Sequence, residues 1–334
     1  MRTSTGNDPI SAMRIAISLL LSIAGLYPLQ SANAQVYPSK PVKIIVPGAV
    51  GTPPDATARA FSPGLSRALG QPMIVENRLG ANGIIGMEAC AKSAPDGYTL
   101  CMPQGAAISV NPFVYAKLPY DPPRDLAPVI QAGVINAAIV VSATLPVNSM
   151  RELIELARSK PGALNWASWG KGSFSHLYWA WMQSSTGTSF THVPYKNSDQ
   201  AMTAVITGEA QVFLNATGNL QAQVRAGKLK ALGVIGSKRS SSLPGVPSFK
   251  ELGFNLDFRG WVGVFAPAGT PTPIIVRLNT EINRLLADRG VVEIIQNAGA
   301  LDPTGGSPED FAAFLKADRE TAAMLTKLAH AGVD

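Results

Sequence analysis

"KIIVPGAVGTPPDATARAF", residues 43–61, opens as an apolar strand, passes through two glycines and turns into a helix. Pro47 closes the strand because it has no N–H to give to a ladder. Gly48 and Gly51 permit a tight loop whose backbone can approach a ligand closely. Thr52-Pro53-Pro54-Asp55 predicts a capping box, with Thr52 as N-cap, Pro53 at N1 and Asp55 at N3. The helix continues through Phe61, Leu65 and Leu69 and stops at Gly70. Such a loop suits an anion, and it is equally an ordinary strand-to-helix turn. A P-loop is excluded because no lysine follows Gly51, and a dinucleotide fingerprint because the glycine spacing is wrong.

Outward from this stretch the pattern repeats. "PMIVEN" and "GYTLCM" read as strands and residues 83–93 as a helix, a βαβαβ rhythm that argues for a parallel sheet with helices on its faces. After "LPYDPPRDL" come two apolar runs, "APVIQAGV" and "NAAIVVSAT". The rhythm then restarts over about residues 150–236. "SMRELIELARSKPG" is a helix ended by Pro161-Gly162, followed by strand "ALNWAS", a helix over "GSFSHLYWAWMQSS", and strand "TSFTHVPY". Helix "SDQAMTAVITG", strand "AQVFLNA", helix "NLQAQVRAGK" and strand "LKALGVI" complete this half, and the tail from "PTPIIVRLNTEINRLLA" is helical. Two α/β halves of similar size predict two lobes around a cleft.

The second half carries a counterpart of the opening loop, "NWASWGKGSFSHLYW", residues 165–179. Gly170-Lys171-Gly172 is followed by Ser173 as N-cap, which again aims free backbone N–H groups away from a sheet edge. It fails as a Walker motif because Asn165 stands at the first glycine position and Gly172 follows the lysine. Lys171 reads either as a solvated loop lysine or as a partner for an acidic ligand. His176 reads as a packing residue. A third glycine run, "NRLGANGIIG", reads as a turn.

Composition narrows the function. The 334 residues are 46% hydrophobic and 15% charged, enough apolar content for a real core and too little charge for disorder. The formal net charge is +6, yet the longest basic cluster is Lys238-Arg239, so nothing points to nucleic acid. Met13-Arg14, the apolar run "IAISLLLSIAGLY" and a small-residue site at Ala32-Asn33-Ala34 describe a secretory signal peptide over residues 1–34. Its apolar run is short of the roughly 20 residues that span a bilayer. Cleavage after Ala34 removes Arg2, Asp8 and Arg14, so +6 less 2 plus 1 leaves +5, and the product is expected to be a periplasmic, soluble protein. Met13 is a second candidate start.

Cys90 and Cys101 read more naturally as small apolar residues than as a bridge. His176, His192 and His330 lack metal-ligand spacing, so neither metal nor cofactor is expected. No Gly-x-Ser-x-Gly elbow exists. Ser173 and His176 share one turn, which leaves an exported hydrolase as a minor alternative to a binding protein.

The motifs in order resemble a known family: "YPSKPVKIIVP", "DATAR", "ALGQPMIVENRLGANGIIG", "APDGYTL", "NPFVYAKLPYDPPRDLAPV", "SWGKGSFSHL", "THVPYK", "AGKLKALGV", "LPGVPSFKELG" and "GVFAPAGTP". Over residues 36–334 the chain is similar to the periplasmic solute-binding receptors of tripartite tricarboxylate transporters, the Bug family. The resemblance implies an α/β, two-lobed Venus-flytrap fold of type II-like kind, each lobe a mostly parallel sheet flanked by helices. Lobe one would hold residues 36–136 plus 261–334 and lobe two residues 137–260.

The family grips a carboxylate between two glycine loops through backbone amides and bridging waters, closes by hinge motion and hands the ligand to membrane subunits. Family ligands are di- and tricarboxylates, acidic amino acids and aromatic acids. Carried over, the first loop supplies Gly48, Ala49, Val50, Gly51, Thr52 and Asp55, and the second supplies Ser168, Trp169, Gly170, Lys171, Gly172 and Ser173. Gln104, Gly105 and Ala106 follow the third strand, and Thr191, Tyr195 and Asn215 complete the lining.

Three departures stand out. Gly48-Ala49-Val50-Gly51 lacks the family's aromatic wall, Leu214 stands where many members carry an aspartate, and Trp169 and Lys171 are unusual additions. A monomeric carboxylate receptor for such a transporter is the expectation, with a sensor receptor feeding a signalling protein as the alternative.

Overall fold

Val42–Val46 (β1) buries four of its five residues, as a strand covered on both faces must. The computed structural model describes residues 37–299 and 301–332, without the side chains of residues 298 and 299; the expected signal peptide lies outside the described residues. β1 pairs in parallel with Met73–Asn77 (β2) and Thr99–Cys101 (β3), placing Ile44 opposite Val75 and Leu100. Helix α1 (Pro53–Leu69) connects β1 to β2, and α2 (Ile84–Ala91) lies between β2 and β3. Leu126–Ile135 (β4), Gly260–Pro267 (β10) and Leu301–Pro303 (β11) complete a six-stranded sheet in the order β11-β4-β10-β3-β1-β2.

The chain leaves this sheet at Asn136 and enters the second as Ala137–Ser142 (β5). Asn165–Ser168 (β6), Thr191–Pro194 (β7), Val212–Ala216 (β8) and Leu229–Val234 (β9) join it in the order β7-β6-β8-β5-β9. Helices α3 (Met150–Ser159), α4 (Phe174–Thr186), α5 (Ser198–Thr207) and α6 (Thr217–Arg225) connect these strands. Residues 235–259 lead back to β10, so the molecule is a two-lobed α/β fold with two crossings.

Each sheet is mixed rather than mostly parallel. Among the described residues, four of the five antiparallel pairings involve β5 or β10. Both strands enter their sheets from a crossing, against the βαβ strands whose C-terminal ends face the cleft.

Trp166 and Trp261 anchor the two cores and are fully buried, each with its indole N–H satisfied. Trp166 Nε1 donates to the Ser175 carbonyl at 3.0 Å, and Trp261 Nε1 to Asp318 Oδ2 at 2.8 Å. Buried indoles need such partners, because an unpaired donor forfeits its hydrogen bond to water. Helices α7 (Thr272–Leu286) and α8 (Arg289–Gly299) cover the first sheet, and α9 (Pro308–Leu328) straddles both cores. Its Phe311 and Leu315 pack with Trp261, while Ala322 and Leu325 pack in the cluster around Trp166.

The cysteines correct the sequence expectation. Cys90 in α2 and Cys101 in β3 form a disulfide, with Cα atoms 6.0 Å apart. Both are small, buried members of one cluster, so their apolar pattern concealed the bridge.

Candidate functional site

Loops at the C-terminal ends of β3, β6 and β8 converge with the crossings on a cavity of about 520 Å³. Of the residues expected from sequence, Gln104, Gly105, Ala106, Trp169, Lys171, Gly172, Ser173 and Asn215 line it. The first loop contributes only Pro53; Gly48, Ala49, Val50, Gly51, Thr52 and Asp55 lie outside the lining, and Val50 is 70% exposed. Ser168, Gly170, Thr191 and Tyr195 are outside it too. Thr191 Oγ1 donates to the Gly162 carbonyl at 2.8 Å. The Tyr195 hydroxyl donates to Glu209 at 2.9 Å, and partial burial with this carboxylate pushes its pKa up to about 12.

Asp55 faces inward. It is 2% exposed and accepts from Gly51 N at 2.9 Å, Asn77 Nδ2 at 2.9 Å and Arg59 Nε at 3.0 Å. Burial raises its pKa, but the bonds from Arg59, Gly51 and Asn77 together outweigh it and hold the carboxyl below its ordinary value. The expected capping box does not form. Thr52 Oγ1 turns back to the Ala49 carbonyl at 2.7 Å, and the Asp55 carboxylate reaches the amide one residue before the N-cap. Since Pro53 and Pro54 have no N–H, Asp55 alone offers a free amide in the first turn of α1. The loop amides of Ala49 and Val50 make no hydrogen bond among the described residues.

The second loop is built as expected at its N-cap. Ser173 Oγ accepts the His176 amide at 3.3 Å and donates to the Gly170 carbonyl at 2.7 Å. The amides of Phe174 and Ser175 make no hydrogen bond among the described residues at the start of α4. Gly172 has φ 74°, and a Cβ there would sit 3.2 Å from Val114 across the cleft. Only glycine fits both constraints without strain. The Gly172 amide donates to His176 Nδ1 at 3.1 Å. Burial, His192 and Lys171 press His176 down to a pKa of about 4.

Ser173 and His176 therefore do not form a nucleophile and base. The hydroxyl donates to Gly170, the imidazole accepts from Gly172, and no hydrogen bond joins the two side chains among the described residues. No His, Cys, Asp or Glu group suited to a metal occurs among the described residues. No helix among them is long and apolar enough to cross a membrane.

Sequence reading missed several lining residues. Asn82 belongs to the third glycine run, where Ala81 and Asn82 adopt φ 46° and 53°. These strained residues are the local signal that the run is more than a turn. Tyr115, Asn219, Phe258 and Arg259 come from helix ends and the returning crossing, where no motif marks them. Phe174 and Phe258 stack at 5.1 Å, and Trp169 meets Phe213 edge-on at 5.9 Å, giving part of the cavity an aromatic wall.

The electrostatics are one-sided. Among the described residues Lys171 and Arg259 line the cavity and no Asp or Glu does. Arg259 is already paired with Asp257, while Lys171 has no ion pair or hydrogen bond among the described residues. A cavity with a free ammonium, the unpaired helix-start amide of Phe174 and no carboxylate favours an anion.

Comparison with known proteins agrees with this geometry. The sequence pattern of the tripartite tricarboxylate transporter family receptor, TctC, matches residues 57–328. Protein BugT of Bordetella pertussis is 34% identical over 301 residues, 90% of this chain and 91% of its own. An R. palustris protein solved with adipate superposes with a TM-score of 0.76 at 30% identity, covering 89% of this chain and 100% of that one. MatC from Rhodopseudomonas palustris, solved with bound malate, gives a TM-score of 0.70 at 29% identity, covering 86% and 99%.

Proposed function

Because the chain belongs to the tripartite tricarboxylate transporter family of receptors, we propose that it captures a small carboxylate between its lobes and delivers it to the membrane subunits of such a transporter. The observation that carries the ligand class is the cavity's charge: one free ammonium at Lys171, one arginine and no acidic side chain. Lobe one would comprise residues 36–136 and 261–334 and lobe two residues 137–260. Rotation about Asn136 and the 235–259 crossing would then close the jaws. The first loop lines the cavity only through Pro53, so closure would be what brings the Ala49 and Val50 amides onto the ligand. Similar proteins solved with adipate and malate support a dicarboxylate, and the aromatic wall extends the class to aromatic acids.

A thermal-shift panel of adipate, malate, citrate, benzoate and neutral sugars tests this. A bound acid at a hundred times its Kd stabilises the fold by about 2.7 kcal/mol. Lys171→Met is expected to weaken the best acid about tenfold, the size of one lost charge-assisted hydrogen bond, and to reduce its salt dependence. Silence across the acids with a hit among the sugars refutes the ligand class.

A further inference from the structure

Two histidines lie face to face beneath the Lys171 loop. The His176 and His192 rings stack at 4.4 Å with 28° between planes, and Trp179 covers both at 5.5 and 5.1 Å. His176 is 3% exposed. One ring holds a glycine amide of the loop directly, and the other stands behind the serine that holds the second. Gly172 N donates directly to His176 Nδ1 at 3.1 Å, which fixes that ring as the tautomer protonated on Nε2. Gly170 N donates at 3.1 Å to Ser168 Oγ, which lies 2.7 Å from His192 Nε2. We propose that His176 is a positioning residue for the 168–173 loop, holding it only while its imidazole is neutral and so coupling the second jaw to pH, with His192 stacked against it to disfavour the imidazolium.

The physical reason is donor against donor. A proton on His176 Nδ1 would face the Gly172 N–H and remove the acceptor that holds it. It would also place a cation against a second imidazole and beside Lys171. Among the described residues of α4, β6, β7 and the loop, the charged and titratable groups bearing on the pair are the two rings themselves and Lys171. Ser168 and Ser173 are its remaining polar neighbours, and no carboxylate stands by to stabilise an imidazolium.

The sign follows from burial. With the loop open, His176 would titrate near its ordinary 6.5; with the loop closed, its pKa is about 4. The open form therefore binds the proton first, and opening is favoured by about tenfold per pH unit as pH falls from 6.5 to 4. The consequence for carboxylate release rests on the receptor reading above, but the test uses the ligand-free chain and stands apart from it.

The experiment is NMR on the 15N-labelled protein. At pH 7 the ring nitrogens of His176 should report an unprotonated Nδ1. The exchange protection of the Gly172 amide, corrected for intrinsic rate, should fall about tenfold per unit below pH 6.5. His176→Asn places an amide oxygen where Nδ1 was, so protection should persist at pH 7 and become independent of pH. His176→Phe keeps the ring and removes the acceptor, so protection should be low throughout. A proton on Nδ1 at pH 7, a flat wild-type profile, an Asn variant with the wild-type slope, or a Phe variant as protected as wild type would each overturn the proposal.

Discussion

Asp55→Ala should loosen the first jaw from inside. The carboxylate is 2% exposed and accepts from Gly51 and Asn77 at 2.9 Å each. Its third partner, Arg59, is half exposed and regains water when released, so that contact contributes little. Hydrogen bonds to a charged group contribute about 1.5–3 kcal/mol each, and the freed Gly51 and Asn77 donors regain part of this from solvent. A net loss of about 2–4 kcal/mol follows, or a fall in Tm of about 3–6 °C for a chain of this length. Urea denaturation and differential scanning calorimetry at pH 7 read both. The sign with pH is fixed as well. The folded carboxyl titrates below its ordinary 3.8, so its contribution is complete above that value and is lost as pH falls through the lowered one. The gap between wild type and variant should be constant from pH 7 to about 5 and narrow below 3.8. A loss under about 1 kcal/mol at pH 7, or a gap that persists undiminished at pH 3, would refute the internal-anchor reasoning.

Gly105→Ala would drive a Cβ into the indole of Trp261, which is buried and fixed to Asp318. Overpacking of this kind costs about 1–3 kcal/mol. Because Gly105 and its neighbours line the cavity, carboxylate affinity should fall together with Tm; a variant with unchanged Tm by calorimetry contradicts the close approach. Replacing Cys90 and Cys101 together by alanine opens a short cross-link of sequence separation 11. Loop-closure entropy puts the loss at about 3 kcal/mol, measurable by urea denaturation, and an unchanged midpoint would count against the bridge.

Most of the frame was legible in the sequence because it depends on period and punctuation. The buried run at β1, the stop at Gly70 and the Ser173 cap are local signals, and local chemistry decides them. Strand direction was not legible. β5 and β10 are apolar runs like β1, and only their entry from the crossings makes them antiparallel. The disulfide escaped for the same reason, since a buried cysteine and a small apolar residue leave one pattern. In the site, the second glycine loop pointed to Lys171 and Gly172 and the family resemblance to Gly105, whereas Asn82 and Arg259 reach the cavity through turns whose direction is set by tertiary packing.

The bonding of Asp55 shows how such a site divides its labour. A carboxylate beside a glycine loop looks like a ligand contact and a histidine beside the other like a packing residue, yet both are bonded to the loops themselves: Asp55 to Gly51, His176 to Gly172. Anchored from within, the loops keep their conformation before any ligand arrives, and less conformational entropy is lost on binding. What the anchors leave unsatisfied in the cavity is the part that can recognise an anion, the Phe174 amide and the Lys171 ammonium, which the Ala49 and Val50 amides would join on the proposed closure. Backbone amides recognise any carboxylate alike, so discrimination among acids must come from the side chains around them. Here those are Trp169, Lys171, Leu214 and the Phe174–Phe258 stack, and substitutions there should change which acid binds before they change whether one does.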